Sequence, residues 1–416
     1  MSMSNSNRIL EIVNPICCGI DVHKESLSAC LLYSGEFGEE QCEIREYKTF
    51  TGELYKFKEY LISHRCRIVA IESTGVYWQP VYNVLESDVE VMVVNARAIK
   101  NVPGRKTDVE DCKWLAGLLR FGLLQGSFIP ESHVRSWRNL TRMRSKNRET
   151  ISDYRKRVQK VFESANIKID SVVSDLFGVT GNNLMQLLLS GKEIELSDIE
   201  KCVRGRLKGK TEELYDSIQG FFSDDHRFEL SSLLRIIDAL EKEIATIDER
   251  LSEMLADHEE LIELMKKTPG FSELSARYVI SEIGTDMKAF KNSSNLVSWC
   301  GLCPGNNESA GKRKSGKTRV RKHYLKKIMI EAAWAAVKTK GSYYKNKFYK
   351  LKTRRGAKRA IVAIANRLLK AIYHIIKYRV SYREPGEHYL DSKSKNTKIS
   401  RLKKQANALG FNLIPV

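Results

Sequence analysis

The first 120 or so residues alternate short apolar runs with helical segments in an order that few folds accommodate. Residues 16–33 hold two apolar runs separated by a polar bend, and residues 39–50 alternate as a third strand would, which predicts an antiparallel meander. The order βββαβαβα indicates a mixed sheet with helices on its faces. The elements predicted after the meander are a helix over 51–63, a strand over 67–74, a helix over 76–86, a strand over 89–95 and a helix over 108–122.

Between about residue 132 and residue 265 the pattern changes to long helices. Apolar residues recur at heptad positions from Leu230 to Leu261, and residues 137–165 offer a matching seam. Two interpretations stay open, namely an antiparallel pair of helices within one chain and an arm through which copies associate. Residues 167–225, between the seams, have no strong period and predict a separate helical insertion.

Charge divides the chain sharply. The 416 residues carry 70 Lys and Arg against 51 Asp and Glu, yet residues 311–416 alone hold 30 basic and 4 acidic residues, so the first 310 residues are net acidic. Such a concentration is typical of proteins that bind a polyanion, because each neutralised phosphate releases condensed counterions. Nucleic acid is therefore the predicted partner. The 42% of hydrophobic residues excludes a disordered polymer or a small disulfide-stapled domain.

The sequence also bears on the compartment. The most apolar C-terminal segment, residues 360–376, is interrupted by Arg367 and Lys370, and the N-terminus MSMSNSNRIL lacks the apolar core of a signal peptide. Nine cysteines, an odd number spread thinly through the chain, favour reduced thiols. We expect a cytoplasmic, nucleoid-associated protein without a membrane partner.

Four carboxylates fall where this order of elements brings side chains together. Asp21 lies near the end of the first strand, Glu72 lies at the carboxyl end of RIVAIEST, and Asp108 and Asp111 share one face at the start of a helix, whereas Glu110 faces differently. Phosphoryl transfer uses such clusters, because hard anionic oxygens hold two Mg²⁺ ions about 4 Å apart. Taken singly, each acid is also explained as a helix cap or a turn cap.

Five segments, GIDVHKESL, IESTGVYWQPVYNVL, NVPGRKTDVEDCKWLAGLLR, TPGFSELSARYVISEIG and WCGLCPGNNESAGKRKSGKTRVRKHYLKKIMIEAAWAA, occur in that order along the chain. They resemble the motifs of DEDD transposases, the IS110 insertion-sequence family and its Piv-type DNA-invertase relatives. The likeness covers roughly residues 16–125 and 265–380. It implies a RuvC-like, RNase H-fold domain that carries Mg²⁺ on four acids, which here are Asp21, Glu72, Asp108 and Asp111.

The resemblance also implies a C-terminal domain that supplies a nucleophilic serine. The family's small-residue motif corresponds to residues 307–312, which makes Ser309 the predicted nucleophile, with Ser315 and Thr318 as nearby competitors. In such enzymes the serine attacks a DNA phosphodiester, and a phosphoserine link holds the strand until a hydroxyl displaces the enzyme. The cations expected to hold phosphates are Lys312, Arg313, Lys314, Lys317, Arg319, Arg321, Lys322, Arg354 and Arg355.

Relatives use an RNA transcribed from their element's own end to pair with target and donor DNA. The resemblance therefore implies a guide (bridge) RNA beside element-end and target DNA. It also implies a homo-oligomer, a dimer or tetramer, in which the acidic domain of one protomer meets the serine domain of another. The predicted domains are a RuvC-like domain (1–131), a coiled-coil arm with the insertion (132–265), a serine transposase domain (266–385) and a basic tail (386–416).

The sequence thus predicts an α/β plus α protein that acts as a transposase or site-specific DNA recombinase, through Mg²⁺-assisted attack of a serine and under the guidance of an RNA. Two other functions stay open. One is a RuvC-like structure-selective nuclease that hydrolyses DNA with the four acids and water alone. The other is a non-catalytic nucleic-acid-binding scaffold whose acids are structural.

Weaker patterns have two interpretations each. Cys300 and Cys303 form a lone C-x-x-C, which favours packing beneath a turn over a metal site. The turn at residues 268–270 is either a helix–hairpin–helix contact to DNA phosphate or a structural turn. His23 is either an aid to the metal site or a strand-end residue, and Tyr77 and Trp78 are either groove or core residues. The basic, aromatic stretch 342–359 is either a base-stacking surface or a merely solvated one.

Overall fold

The computed structural model describes most of the chain, and the chain divides into two compact units, residues 1–132 and residues 133–416. The predicted divisions at 265 and 385 remain predictions. The described residues are 11–35, 39–73, 75–95, 108–305, 307–309, 312–315, 318, 323–412 and 414, and the side chains of 108–110, 307–309, 312–315 and 393–394 are not among them.

The first unit is built on a five-stranded sheet. Its elements are β1 (Cys17–Val22), β2 (Ser26–Ser34), β3 (Glu40–Lys48), α1 (Thr51–Ser63), β4 (Ile68–Glu72), α2 (Trp78–Leu85), β5 (Glu90–Val94) and α3 (Asp108–Arg120). The strand order is β3-β2-β1-β4-β5, in which β2 is antiparallel to β1 and to β3 while β4 runs parallel to β1 and to β5. This is the RNase H-like arrangement, so the predicted fold is confirmed.

The side chains of β1 and β4 differ in size between the two faces of this sheet. On one face Ile20 and Val22 of β1 pack with Phe57 of α1 and with α2. On the opposite face Cys17 of β1 and Ala70 of β4 pack against α3. Small side chains on the second face allow α3 to approach the strands closely, which matters for the acids at their ends.

The second unit is mainly helical among its described residues. Its elements are α4 (Ser132–Ser164), α5 (Ile169–Val172), α6 (Val179–Leu189), α7 (Leu196–Cys202), a 3₁₀ turn (Gly205–Lys210), α8 (Thr211–Ser217), α9 (Asp224–Met254), a 3₁₀ turn (Ala256–His258), α10 (Glu259–Lys266), α11 (Glu273–Ile283), α12 (Ser293–Trp299), β6 (Asn307–Ser309), β7 (Lys312–Ser315), α13 (Tyr324–Lys338), α14 (Tyr343–Arg355), α15 (Ala357–Tyr378) and α16 (Tyr389–Ala408).

The long helices α4 and α9 lie antiparallel within one chain. Arg144 binds Asp248 through two hydrogen bonds of 2.6 and 2.9 Å, and about three turns further along α4 Arg155 binds Glu241 at 3.0 Å. The supercoil of a coiled coil and an association between copies stay predictions. The predicted seam is too long, because α9 ends at Met254 and the remaining heptad positions belong to a 3₁₀ turn and to α10.

Residues 167–223, which we call the cap, form a small helical layer on the paired ends of α4 and α9. Leu184, Met185 and Leu214 of the cap share one core with Phe162 of α4 and Leu230 of α9. The cap is helical and its own buried residues hold it in place, whereas its status as a separate insertion stays a prediction.

The turn at residues 268–270 packs on the backbone of α13. A Cβ built on Gly270, whose φ is +81°, would lie 2.3 Å from the carbonyl oxygen of Ala332 and 2.4 Å from the amide nitrogen of Ala336. This contact supports the structural interpretation of the turn. Within the described part of the chain, no helix is long and apolar enough to cross a membrane.

Candidate active site

Asp21 and Glu72 lie side by side at the carboxyl ends of two parallel strands. The last paired residues of β1 and β4 are Ile20 and Ile71, so each acid lies one step beyond that pair. Side chains alternate along a strand, and both acids therefore belong to the face that carries Gly19 and is covered by α3. The parallel register is what makes the two carboxylates neighbours.

Gly19 sets the distance between α3 and the sheet. A Cβ built on Gly19 would lie 2.2 Å from the carbonyl oxygen of Cys112 and 2.4 Å from the amide nitrogen of Ala116. The backbone of α3 therefore rests directly on β1. Asp111 precedes Cys112, so this contact also brings the Asp111 carboxylate to the end of β1.

A small cavity of about 20 Å³ lies among Asp21, Glu72 and Asp111. A space of that size holds about one water molecule or ion. The Asp21 side chain is only 14% exposed, so most of its surface is shielded from bulk water. The structure thus brings three of the four predicted acids together, whereas the side chain of Asp108 lies outside the described residues although its backbone begins α3.

The donors around this cavity suit a hard cation in type. Mg²⁺ prefers carboxylate oxygens, and three carboxylates line one space. Among the side chains that the structure describes, no group of three or more Asp, Glu, His or Cys residues forms a ready metal cluster, and Asp108 is not one of those side chains. The fit of Mg²⁺ to this site therefore depends on the carboxylate oxygens as donors and on the cavity that the three acids share.

His23 approaches the same site from the segment after β1. Its Nε2 lies 3.2 Å from Oδ2 of Asp21, and 53% of its side chain is exposed. An imidazole N–H at this distance donates to the carboxylate and fixes its orientation. The strand-end interpretation of His23 agrees with its position after β1, and its aid to a metal site stays a prediction.

Trp114 forms one wall of the cavity, and sequence reasoning did not single it out. It follows Asp111 by three residues on α3, so the two side chains share a face of the helix. Trp114 is 40% exposed, whereas Leu115 beside it is buried. An exposed indole at the mouth of an acidic site offers a flat apolar surface, and the spacing D-x-x-W was the signal for it.

The residues that follow β4 separate into a surface and a core position. Tyr77 is 42% exposed, and Trp78 packs against the core on the α1 and α2 side of the sheet. The groove interpretation therefore stays a prediction for Tyr77 only.

Ser309 lies in a short antiparallel hairpin of the second unit. In the register of β6 and β7, Ser309 pairs with Lys312 and Glu308 pairs with Arg313, so the backbone places basic residues opposite the predicted nucleophile. Of the two competitors, Ser315 pairs with Asn307, and the Thr318 hydroxyl accepts a hydrogen bond from Lys326 at 3.2 Å. The structure does not describe the side chains of Ser309, Lys312, Arg313 and Lys314. It describes no part of Lys317, Arg319, Arg321 and Lys322.

The basic, aromatic stretch folds mainly as α14. Arg354 and Arg355 are exposed near its C-terminal end. Tyr344 and Phe348 are buried, so neither the base-stacking nor the solvated interpretation of the stretch applies to these two rings. Tyr349 is exposed and remains available.

The Cys300–Cys303 pair lies beside α15. Cys300 is fully buried, and burial raises the pKa of its thiol. Asn366 of α15 donates to the carbonyl oxygen of Leu302 at 3.2 Å. The burial of Cys300 and the hydrogen bond from Asn366 support the packing interpretation.

Two family models match the chain. A model for DEDD transposases of the IS110 type, described as a transposase, matches residues 18–167, and a model described as the transposase IS116/IS110/IS902 family matches residues 262–350. The first range contains all four predicted acids, and the second contains Ser309. No curated protein matches the chain.

Two solved structures are similar to part of the chain. The Thermus thermophilus RuvC structure shares 14% identity at a TM-score of 0.22 and covers 27% of this chain and 99% of its own. T. thermophilus RuvC in complex with a Holliday junction substrate shares 15% identity at the same TM-score and the same coverage. The strand order, rather than this likeness, carries the RNase H-like assignment.

We expect Gly19→Ala to lower the free energy of unfolding by about 1–3 kcal/mol, because its Cβ forces α3 away from β1. Gly117→Ala is the matched control, since a Cβ at Gly117 of the same helix meets nothing within 4 Å. Alanine should stabilise that position by up to about 1 kcal/mol. Urea unfolding of the two variants measures both effects, and equal stability of Gly19→Ala and the wild type would contradict the close contact.

Proposed function

We propose the function of this chain from the family to which it belongs and from the geometry of its acids. Both family models match it to the IS110 family of transposases. Members of such a family cut and rejoin DNA. We infer that the acids around the cavity, together with Asp108, hold Mg²⁺ and that Ser309 is the nucleophile. The observation that carries the metal part is the convergence of Asp21, Glu72 and Asp111 on one small cavity.

Each residue of the first unit has its own part in this function. The carboxylates of Asp21, Glu72 and Asp111 would hold the metal, with Asp108 as the fourth donor. Bound Mg²⁺ supplies the positive charge that stabilises the attacking and leaving oxygens of phosphoryl transfer. His23 keeps the Asp21 carboxylate in one orientation through their 3.2 Å contact.

The strand transfer proceeds in two balanced steps. In the first, Oγ of Ser309 gives up its proton to solvent and attacks the phosphorus of a DNA phosphodiester, which forms a P–Oγ bond while the bond from phosphorus to the leaving deoxyribose oxygen breaks and that oxygen takes up a proton from solvent. In the second, the hydroxyl of a partner strand attacks the phosphoserine, the P–Oγ bond breaks, and the serine regains a proton. One phosphodiester is lost and one is made, so no external energy source is required.

The basic residues would hold the strands during these steps. Lys312 pairs with Ser309 in the hairpin, and Arg354 and Arg355 are exposed on α14. Residues 311–416 carry 30 basic and 4 acidic residues, more than one duplex contact requires. This surplus supports the proposal that a guide RNA binds together with element-end and target DNA, within a homo-oligomer.

A nuclease that uses water is the second candidate, favoured by one observation. Three acids line a cavity that belongs entirely to the first unit, and a metal-bound site of this kind hydrolyses DNA without a serine. The two candidates differ in whether DNA becomes attached to the protein.

Covalent trapping on element-end DNA, with its transcribed RNA and Mg²⁺, separates these candidates. We expect an adduct that maps to Ser309, and we expect Ser309→Ala and Asp21→Asn each to reduce its formation by about 10³-fold or more, because each removes an essential group. Ser315→Ala, in the opposite strand of the hairpin, is the control and should retain the adduct. Mg²⁺-dependent cleavage that survives Ser309→Ala without any adduct would establish the nuclease instead.

Trp114 is proposed to position the DNA by stacking on a nucleotide beside the cavity. In an Asp21→Asn background, which prevents cleavage, Trp114→Ala should weaken binding of element-end DNA about 5- to 150-fold, the equivalent of about 1–3 kcal/mol of stacking. Trp114→Phe should restore most of the affinity, since it retains a ring. Fluorescence anisotropy measures these dissociation constants.

The control for Trp114 is Tyr55→Ala, which removes a 52% exposed ring from α1 on the other face of the sheet and should leave the affinity unchanged. An unchanged affinity in Trp114→Ala would contradict the stacking role and leave the proposed chemistry standing.

A further inference from the structure

We propose that the exposed loop at residues 204–210 of the cap is a second binding site for the phosphodiester backbone of nucleic acid. It lies outside the acidic cavity and outside the basic last quarter of the chain. The site needs neither the acids nor Ser309, so it does not depend on the proposed chemistry. DNA and RNA share the phosphate chemistry that it recognises.

Charge sets the loop apart from the rest of the cap. The sequence VRGRLKGKT places four cations and no acid within residues 204–210, whereas the remainder of the cap holds three basic and nine acidic residues. Those other cations include Lys168, which binds Glu163, and Lys201, which lies 3.0 Å from Asp198. Mixed and paired charges are typical of a solvated surface, and an unmixed run of cations within an acidic layer is not.

The loop is held in one conformation from beneath. Val203 is buried, and Leu207 packs against the core of the cap. Arg204 donates to the carbonyl oxygens of Lys201 and Val203 at 2.8 and 2.9 Å, which fixes the entry to the loop. At its exit Lys210 lies 3.0 Å from Glu213 of α8.

Two cations remain for a ligand. Arg206 and Lys208 flank the anchored Leu207, and both are exposed. Among the described residues neither of them makes an ion pair or a side-chain hydrogen bond, in contrast to Arg204 and Lys210. A rigid turn thus presents two cationic side chains whose charges the chain itself does not neutralise.

The glycines of the loop leave its backbone bare. A Cβ at Gly205 or Gly209 would meet nothing within 4 Å, so packing requires neither glycine. Gly205 has a φ of +57°, which explains its identity, but Gly209 has no positive φ. Neither packing nor a positive φ explains the glycine at position 209. Close approach of a ligand to the backbone would explain it.

The chemistry of the loop identifies the ligand as a polyanion held by its backbone. Two free cations beside an open main chain bind successive phosphates, since each contact releases counterions. Residues 203–211 contain no aromatic ring for base stacking, so we expect binding that is independent of sequence. The 33 residues of α4 span about 50 Å, and α4 begins at Ser132. The cap lies at the other end of this helix, so its loop is far from Ser132.

The test uses the full chain with the double substitution Arg206→Ala/Lys208→Ala. Anisotropy titrations between about 50 and 300 mM NaCl, with a random-sequence DNA duplex and with an RNA hairpin as separate probes, give the slope of log Kobs against log salt. We expect the slope to become shallower by about 1–2 with the nucleic acid that occupies the loop, because each lost phosphate contact removes about 0.7–0.9. The probe that shows the change identifies the source.

The matched control is Lys168→Ala/Lys201→Ala, which removes the same charge from paired positions of the cap and should leave the slope unchanged. Gly209→Ala, which changes no charge, should weaken binding by obstructing the bare backbone. A wild-type slope with both probes in Arg206→Ala/Lys208→Ala, or an equal change in the control pair, would overturn the proposal.

Discussion

The contact between the backbone of α3 and β1 at Gly19 is the constraint on which the acidic site depends. No side chain separates the strand from the carbonyl oxygen of Cys112 or the amide nitrogen of Ala116, so the helix lies as close as backbone atoms allow. Asp111 reaches the cavity only because of this closeness. Parallel pairing of β1 with β4 adds Asp21 and Glu72 at the same edge. The absence of a side chain at Gly19 and the parallel register of β1 with β4 thus bring the three acids together.

The order of elements and the positions of three acids were predictable because they depend on local pattern. The alternation of apolar and polar residues identifies the strands. The carboxyl ends of neighbouring parallel strands meet at one edge of the sheet, so Asp21 and Glu72 could be predicted to lie close together. Trp114 was not predictable, since its exposure depends on what the neighbouring elements leave uncovered. The burial of Tyr344 was not predictable for the related reason that composition does not reveal which face of α14 is buried.

The second unit shows where periodicity misleads. Heptad spacing continues past Met254 into a 3₁₀ turn, because apolar spacing is compatible with a short break in the helix. The ion pair between Arg144 and Asp248 links α4 and α9, which lie antiparallel in one chain and share an apolar core. Their paired ends carry the cap with its basic loop, while the hairpin of Ser309 belongs to the later part of the unit. The basic loop of the cap and the hairpin of Ser309 thus lie in separate parts of the sequence.

The central claim is that Asp21, Glu72, Asp108 and Asp111 form one metal site, and Mn²⁺ binding to the full chain without DNA tests it most directly. Electron paramagnetic resonance measures free Mn²⁺ as each acid is replaced by its amide. We predict that Asp21→Asn, Glu72→Gln, Asp108→Asn and Asp111→Asn each weaken binding about tenfold or more, whereas Glu110→Gln does not. Wild-type Mn²⁺ affinity in all four variants would contradict the account.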